Sequence, residues 1–446
     1  YPASSKPMTK VNLPRLRCMD ADFKSALTAL LAKTKESENV SKIVKEIVES
    51  VRAFGDKRVL ELTARWDHLS ANSMKDLEIS RDCQQQALEN LDSPVRQALE
   101  SAVSRVKSYH SQQLEAFGNG KSWEYIDRDG NRLGQRVRGL EKVGLYVPGG
   151  KAAYPSTVYM TAIPAKMAGV SEVILVVPTP NGEVSQTLLA AARLCEIDKL
   201  FTIGGAQAIA ALAFGTETIP RVDKIVGPGN IYVATAKELV YGAVDVDMVA
   251  GPSEIVIIAD GSVRADWLAL DMLAQAEHDE MAQAILISAD RGLLDKVQEE
   301  VFSKLETMPR KPIISESLAK RSAMIEVDDI EQAVAIANRI APEHLELAVE
   351  SPNEIVDLIE HAGAIFLGAG TPEVVGDYTA GPSHVLPTSG TARFGSPLGV
   401  YDFLVKTSII ECSKQGLLSL NRDAAILAKE ERLYAHASSA KLRLEN

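Results

Sequence analysis

Apolar residues recur with a helical period through the first quarter of the chain. Between residues 20 and 118 they lie three and four positions apart, most clearly over residues 40–54 and 95–117, which predicts amphipathic helices. The Asp-Ser-Pro sequence at residues 92–94 is typical of a helix start. In the polar stretch that follows, Asp129-Gly130 is typical of a β-hairpin turn.

Beyond residue 143 the pattern changes to short, continuous apolar runs separated by helical stretches. Residues 173–177, 200–203 and 224–226 form such runs, and each is followed by proline or glycine. The same alternation returns over residues 254–368. Continuous apolar strands that alternate with helices are typical of parallel sheets covered on both faces.

We therefore predict an α/β fold with two related Rossmann-like lobes built on parallel sheets, plus a helical N-terminal part and a C-terminal tail. The predicted division is 1–125 for the N-terminal segment, 126–250 for the first lobe, 251–387 for the second lobe and 388–446 for the tail. The N-terminal segment is expected to pack partly on the second lobe. The tail is expected to form a helix over residues 421–443 with few core-like faces, and therefore to pack on another lobe or subunit.

Composition and charge narrow the class of partners. The 446 residues are 46% hydrophobic and 24% charged, with a net charge of −12, which fits a globular chain of roughly two to four domains. The negative charge argues against nucleic acid and anionic membrane surfaces as partners. No apolar run is long enough to predict a membrane span. None of the four cysteines lies in a CxxC pair, which favours a reduced, intracellular chain.

Five of the seven histidines lie beyond residue 275. Gln275 and His278 are three apart on a predicted helix and therefore share a face, a common arrangement for two metal ligands. Glutamine is an unusual zinc ligand, and a polar helix end that faces water is the alternative.

Acidic residues accompany the later histidines. Glu343 and His344 are adjacent and offer a base and a water activator. The His-Glu-x-x-His spacing of zinc proteases is absent, and a surface pair beside a helix end is the alternative. Asp377 and His384 lie in a loop rich in glycine and proline, of the kind that binds ligands at strand ends.

Glu431 and His436 lie five apart on the predicted C-terminal helix. This spacing does not place them on one face, so a break near Tyr434 would be needed for both to act at one site. The alternative is a helix whose polar side chains simply face water.

Two glycine-containing turns follow predicted strands, and their backbone N–H groups could approach a nucleotide phosphate. Because the G-x-G-x-x-G fingerprint is missing, turns with a purely structural role are the alternative. The two turns are Gly204-Gly205-Ala206-Gln207 and Gly227-Pro228-Gly229-Asn230.

Taken together and in order, these segments resemble the histidinol dehydrogenase family. Each motif alone is of moderate specificity, whereas the ordered set covers nearly the whole chain and is highly specific. The segments are Gly144-Leu145-Tyr146-Val147-Pro148-Gly149-Gly150, Gly204-Gly205-Ala206-Gln207, Val226-Gly227-Pro228-Gly229-Asn230, Gly251-Pro252-Ser253-Glu254, Gln275-Ala276-Glu277-His278, Ala341-Pro342-Glu343-His344-Leu345-Glu346, residues 377–387 and residues 431–436.

The resemblance implies a zinc- and NAD-dependent four-electron oxidation of L-histidinol to L-histidine through L-histidinal, the final step of histidine biosynthesis. It implies that His344 takes the alcohol proton and that Glu343 activates water. The implied zinc ligands, with one ion per subunit, are Gln275, His278, Asp377 and His436. The implied substrate contacts are Ser253, Gln275, His278, Glu343, Asp377, His384, Glu431 and His436. The implied NAD contacts are Tyr146, Gln207 and Asn230.

The resemblance also implies a homodimer with intertwined C-terminal tails, in which Glu431 and His436 complete the site of the other subunit. The first lobe would be the NAD side, and the second lobe the zinc and catalytic side. Plant members are plastid enzymes with a removed leader, and this chain begins at Tyr1, so a chloroplast location is expected, with the cytoplasm as the alternative. Two rival functions are a zinc hydrolase and a non-catalytic metal-binding module.

Overall fold

Strands and helices alternate through most of the computed structural model, which describes residues 12–32, 38–149 and 154–444. The strands are β1 (Arg15–Arg17), β2 (Trp123–Ile126), β3 (Arg132–Gly139), β4 (Lys142–Tyr146), β5 (Glu172–Val176), β6 (Lys199–Phe201), β7 (Lys224–Val226), β8 (Asp245–Val246), β9 (Glu254–Ala259), β10 (Gln283–Ser288), β11 (Ala323–Glu326), β12 (His344–Ala348), β13 (Ala364–Leu367) and β14 (Leu404–Glu411). The helices are α1 (Phe23–Leu30), α2 (Glu38–Trp66), α3 (Arg81–Glu89), α4 (Ser93–Ala116), α5 (Pro155–Met167), α6 (Gln186–Leu194), α7 (Gly205–Phe214), α8 (Ile231–Val240), α9 (Ala265–Ala276), α10 (Arg291–Leu305), α11 (Lys311–Lys320), α12 (Ile330–Ile340), α13 (Glu373–Tyr378), α14 (Lys414–Glu430) and α15 (Tyr434–Leu442).

The first lobe is built around β4, the middle strand of a parallel sheet. The strand order is β6-β5-β4-β7-β8. The chain therefore runs outward from β4 through β5 and β6, and then returns to the other side of β4 for β7 and β8. Residues 206–213 of α7 are all buried, as expected for a helix covered by the sheet on one side and by α2 on the other.

The second lobe repeats this topology. Its parallel sheet has the order β1-β11-β10-β9-β12-β13, in which β9 corresponds to β4 and β12 corresponds to β7. All six residues of β9 and all six of β10 are buried, and each buried isoleucine or leucine contributes roughly 1.5–3 kcal/mol. The prediction of an α/β fold with two related parallel-sheet lobes is confirmed.

The N-terminal segment contacts both lobes. β1 extends the sheet of the second lobe by pairing with β11, whereas α2, α3 and α4 pack on helices of the first lobe. α2 is bent at Gly55, whose φ is +54°, a conformation that glycine adopts readily. The amide of Asp56 then donates to Glu217 Oε2 at 2.8 Å, so the first lobe fixes the bend.

A small antiparallel sheet connects the N-terminal segment, the first lobe and the tail. β3 pairs with β2 on one side and with β14 on the other, where the register runs from Arg132 opposite Glu411 to Gly139 opposite Leu404. The pairing of β2 with β3 confirms the hairpin predicted at residues 129–130. The sequence pattern did not predict β14, because several of its residues are exposed and no continuous apolar run marks it. The boundary proposed at 125/126 falls inside β2.

The tail ends in two helices, and the prediction of one helix over residues 421–443 is wrong. Arg432 has a φ of +62°, which ends α14 before α15 begins. Large apolar side chains remain exposed on both helices, with exposed fractions of 57% for Leu418, 64% for Leu427 and 65% for Tyr434. Within the described ranges, every helix is too short or too polar to span a membrane.

Candidate active site

The amino ends of β9 and β12, which are neighbours in the second sheet, carry three ionisable side chains. His344 is the first residue of β12 and lies opposite Ile255 of β9, which places Glu343 and His344 beside Glu254. The exposed fractions of Glu343 and His344 are 5% and 4%. The alternative of a surface pair beside a helix end is therefore wrong.

Hydrogen bonds fix the orientation of Glu343 and His344. The amide of Glu254 donates to Glu343 Oε2 at 2.9 Å, and the amide of Glu343 donates back to Glu254 Oε1 at 3.3 Å. His344 Nδ1 lies 3.0 Å from the carbonyl oxygen of Glu254. Because a carbonyl can only accept, Nδ1 carries the hydrogen in the neutral ring and Nε2 keeps its lone pair. Nε2 lies on the side of Asp377, 3.9 Å from Oδ1.

Burial determines which of these groups are charged. Desolvation lowers the pKa of His344 from 6.5 and raises the pKa of Glu343 well above 4.5, because a low-dielectric environment disfavours charge. Desolvation also raises the pKa of Asp377 to about 7 and that of Glu373 to about 8. His344 is therefore neutral near pH 7. The carboxyl groups with raised pKa values largely hold their protons at this pH, and a bound cation would displace those protons.

A group of ligand-type side chains lies next to His344. Gln275 belongs to α9, but the helix ends at Ala276, so the prediction that His278 lies on the same helix is wrong. A turn in which the His278 amide donates to the Gln275 carbonyl oxygen at 3.3 Å follows instead. One donor atom from each of His278, Glu373 and Asp377 lies within 4.8 Å of the others, and His278 Nε2 is 3.9 Å from Asp377 Oδ2. Gln275 is fully buried, and neither polar atom of its side chain has a hydrogen-bond partner in the described structure. An unsatisfied buried polar group costs about 1–3 kcal/mol, so we expect Gln275 to have a ligand. Nitrogen and oxygen donors of this kind fit zinc.

Sequence reasoning missed Glu373. It lies four residues before Asp377 on the short helix α13, and this spacing places both carboxyl groups on one side of the helix. The glycine and proline residues that follow made the segment resemble a loop. Pro372 lies directly before the helix, at its N-cap. A helix that begins after this proline, together with the spacing of four, could have identified the second carboxylate.

Glu346 connects the three elements that carry these side chains. Its Oε1 accepts a hydrogen bond from the amide of Glu373 on α13 at 2.7 Å. Its carboxyl group also hydrogen-bonds to that of Asp271 on α9, an interaction that requires a proton on one of the two groups. Because Glu346 belongs to β12, the strand of His344, these bonds hold α9, α13 and β12 in one arrangement.

His384 bridges the two lobes beside this cluster. Its Nδ1 lies 3.0 Å from the carbonyl oxygen of Asp377, and its Nε2 lies 3.2 Å from Thr157 Oγ1 on α5. Burial lowers the pKa of His384 to about 4, so the ring is neutral, with Nδ1 donating and Nε2 accepting. Ser253 is partly exposed and directly precedes β9, which places it next to Glu254 at the same edge of the sheet.

The tail residues lie apart from this cluster within the single chain. Glu431 and His436 are both exposed, and the cluster of ligand-type groups contains neither of them. The break between α14 and α15 falls between these two residues, close to the position that their spacing required. One copy of the chain therefore does not bring Glu431 and His436 to the other site residues.

The residues expected to contact NAD lie at the carboxyl edge of the first sheet. Tyr146 ends β4 and Asn230 follows β7, and these two strands flank the position where the strand order reverses, a usual place for a nucleotide. Gln207 is buried on α7. The amide of Gly205 donates to Tyr146 Oη at 3.1 Å, and Asn230 Oδ1 accepts from the amides two and three residues further on at 3.1 and 3.2 Å. A phosphate at the start of α8 would compete with this cap.

Comparison with known proteins identifies the family. The sequence profile described as "Histidinol dehydrogenase" matches residues 31–444. The chain belongs to the histidinol dehydrogenase family. Histidinol dehydrogenases of Nitrosospira multiformis and Pseudomonas aeruginosa are 56% and 54% identical to it, over 97% and 96% of this chain and 98% and 97% of their own lengths.

A solved structure extends the comparison to the fold. The crystal structure of histidinol dehydrogenase from Elizabethkingia anophelis has a TM-score of 0.89 with this chain at 33% identity, and the match covers 98% of this chain and 99% of that one. The architecture is thus shared over almost the full length. These histidinol dehydrogenases are bacterial, and they give no support to the expected plant plastid origin.

Proposed function

We propose that the chain oxidises L-histidinol to L-histidine through L-histidinal with NAD as the electron acceptor, as the final step of histidine biosynthesis. The observation that carries this proposal is the buried, neutral His344 next to the ligand-type cluster, in a chain that matches the histidinol dehydrogenase family over residues 31–444. Oxidation of an alcohol removes a hydride and a proton. NAD takes the hydride, so the protein has to supply a base for the proton.

His344 is the base that we propose for the first oxidation. Its Nδ1–H is directed to the carbonyl of Glu254, which leaves Nε2 to accept the hydroxyl proton while the hydride leaves the same carbon for NAD. The product of this step is the aldehyde. Burial of the site shields the reactive aldehyde from bulk solvent.

Glu343 is the residue that we propose for hydration of the aldehyde. It is adjacent to His344, and its Oε2 lies 3.6 Å from His344 Nδ1. Glu343 takes a proton from water as the oxygen attacks the aldehyde carbon. The aldehyde oxygen takes back the proton that His344 holds from the first step, which yields a hydrate and leaves His344 neutral again. The hydrate then loses a hydride to a second NAD and a proton to His344. The two oxidations together consume one water, reduce two NAD molecules and release three protons.

Gln275, His278, Asp377 and His436 are the residues that we propose would hold zinc, with His436 supplied by a second copy of the chain. The orphaned amide of Gln275 and the proximity of His278 to Asp377 support this set. Bound zinc would take the imidazole and amine nitrogens of histidinol and so orient the substrate. Glu373 adds a carboxyl group to the same place.

Other contacts complete the proposed site. Ser253, His384 and Glu431 are proposed to contact the substrate, with Glu431 coming from the second copy of the chain. Tyr146, Gln207 and Asn230 are proposed to contact NAD from the first lobe.

The chain is proposed to act as a homodimer with exchanged tails. The exposed apolar side chains of α14 and α15, such as Leu427 and Tyr434, would be covered by a second copy, and the same arrangement would deliver Glu431 and His436. For the location of the enzyme, bacterial relatives favour the cytoplasmic alternative, which we adopt in place of the chloroplast.

A stoichiometric assay tests the function. Zinc-loaded protein is mixed with limiting histidinol and excess NAD, and NADH is followed by absorbance. We expect two NADH per histidinol, whereas one NADH would indicate a simple alcohol dehydrogenase. Absence of NADH would refute the proposal. The zinc hydrolase predicts instead that amide hydrolysis proceeds without NAD and stops on chelation.

Replacing His278 by alanine should weaken zinc binding by at least about 100-fold, because it removes a ligand directly. The measurement is a competition titration against a chelator, which does not depend on turnover. His361→Ala is the matched control, since this histidine is only partly buried and lies near Glu360. Equal zinc affinity of the two variants would remove His278 from the ligand set.

The pH dependence follows from the lowered pKa of His344. Protonation would eliminate the base, and desolvation shifts this protonation below the ordinary value of 6.5. We therefore expect the rate of the first oxidation, measured in a single turnover before Glu343 is needed, to fall with acid, with a midpoint below 6.5. A zinc ion nearby would shift the midpoint in the same direction. A midpoint clearly above the ordinary histidine value would argue against His344 as the base.

A further inference from the structure

A buried ion pair lies beneath the turn between β7 and α8. Lys237 of α8 and Asp247 form this pair, and the exposed fractions of their side chains are 2% and 1%. Lys237 Nζ also donates to the carbonyl oxygen of Gly227 at 3.0 Å. Asp247 Oδ2 accepts from the amide of the same glycine at 2.8 Å, and Oδ1 accepts from the amide of Met248 at 2.7 Å.

The pair therefore hydrogen-bonds to both backbone polar groups of Gly227, its N–H and its carbonyl oxygen. This glycine has a φ of +118°, and a Cβ built on it would lie 2.0 Å from the carbonyl oxygen of Tyr146. The turn therefore packs closely against the end of β4, and its other side is hydrogen-bonded to the ion pair. Asn230 follows three residues later and caps α8, so the position of its side chain depends on the same turn.

Stability alone is a poor explanation for this pair. Removing two charges from water is costly, and well-packed apolar residues often stabilise a buried position equally well. A buried pair that bonds to both the N–H and the C=O of one residue specifies a backbone geometry, which apolar residues cannot do. The backbone specified here belongs to the turn that forms one wall of the proposed nucleotide crevice, together with Tyr146 and Asn230.

We propose that Lys237 and Asp247 are positioning residues that hold the β7–α8 turn in the shape that receives the NAD dinucleotide. This inference rests on the proposed function, because it assigns the crevice to NAD. Neither side chain reaches the surface, so both act through Gly227 and Asn230 and not by touching the cofactor.

Lys237→Met tests the proposal against a matched control, Lys224→Met. Lys224 is also buried and pairs with Asp245 at 2.9 Å, but it begins β7 at the opposite edge of the sheet. Both variants should melt at lower temperature. Only Lys237→Met should raise the KM for NAD and the Kd for NADH, by about tenfold, because misplacing a binding group by a fraction of an ångström is costly. The KM for histidinol should change by less than about twofold.

A second variant keeps the test decisive if Lys237→Met does not fold. Lys237→Met with Asp247→Asn removes both charges and leaves none unpaired, and the same rise in the KM for NAD is expected. Equal NAD parameters for the Lys224 and Lys237 variants would overturn the inference. The affinity for NADH, measured by fluorescence, distinguishes failure of the proposed function from failure of the positioning role.

If the wild-type protein fails to oxidise histidinol, the proposed function fails. The NADH titration still tests whether Lys237 and Asp247 position the turn.

Discussion

Replacing His344 by asparagine is expected to lower the turnover of histidinol by about a thousandfold while zinc remains bound, because a general base typically contributes 10²–10⁴-fold. Asparagine can still donate to the carbonyl of Glu254, as Nδ1 does, but it provides no basic nitrogen in place of Nε2. The variant therefore separates proton transfer from local folding. The measurements are steady-state kinetics and a zinc competition titration.

Two outcomes would contradict this assignment of roles. Loss of zinc from His344→Asn would mean that His344 belongs to the ligands and not to the base. Unchanged turnover in an active enzyme would exclude His344 as the base, and unchanged behaviour in every assay is what a non-catalytic metal-binding module predicts. His361→Asn serves as the control, because His361 lies outside the candidate site and should retain wild-type turnover.

Mixing two inactive variants is expected to restore about a quarter of wild-type activity if the tails are exchanged. One variant is His344→Asn and the other is His436→Ala. With exchanged tails, a mixed dimer contains one site with both defects and one site with neither. Random reassortment makes half of the dimers mixed, and half of the sites in those dimers are intact. Without exchange, every site keeps one defect and no activity returns.

A complementary mixture removes the remaining ambiguity. Wild type mixed equally with the double variant His344→Asn/His436→Ala should show about a quarter of full activity with exchanged tails and about half without exchange. Subunits are reassorted by co-expression or by joint refolding, and dimer formation is checked by sedimentation. We expect exchanged tails because Glu431 and His436 are exposed in one chain. They lie next to exposed apolar side chains that a second copy would bury.

The local pattern was sufficient for most of the secondary structure. The apolar runs over residues 173–177, 200–203 and 224–226 match β5, β6 and β7 to within two residues, and the helical pattern over 95–117 matches α4. Continuous apolar strands and amphipathic helices leave direct signals of this kind. The tail was harder, since α14 and α15 bury few residues. Its interruption depends on one left-handed residue, Arg432, which no periodicity marks.

The sequence alone determined the family and the two-lobed parallel-sheet fold, because these follow from ordered motifs and from the apolar pattern. It did not determine where α9 ends, and His278 lies beyond that end. Only the tertiary structure decided that Glu343 and His344 are buried at the start of a central strand, since their protonation depends on what surrounds them and not on their neighbours in sequence. It also brought Glu373 to His278, across nearly a hundred residues. Contacts between residues so far apart in sequence depend on the order of the strands in the sheet. That order results from how the elements pack together and not from any local pattern in the sequence.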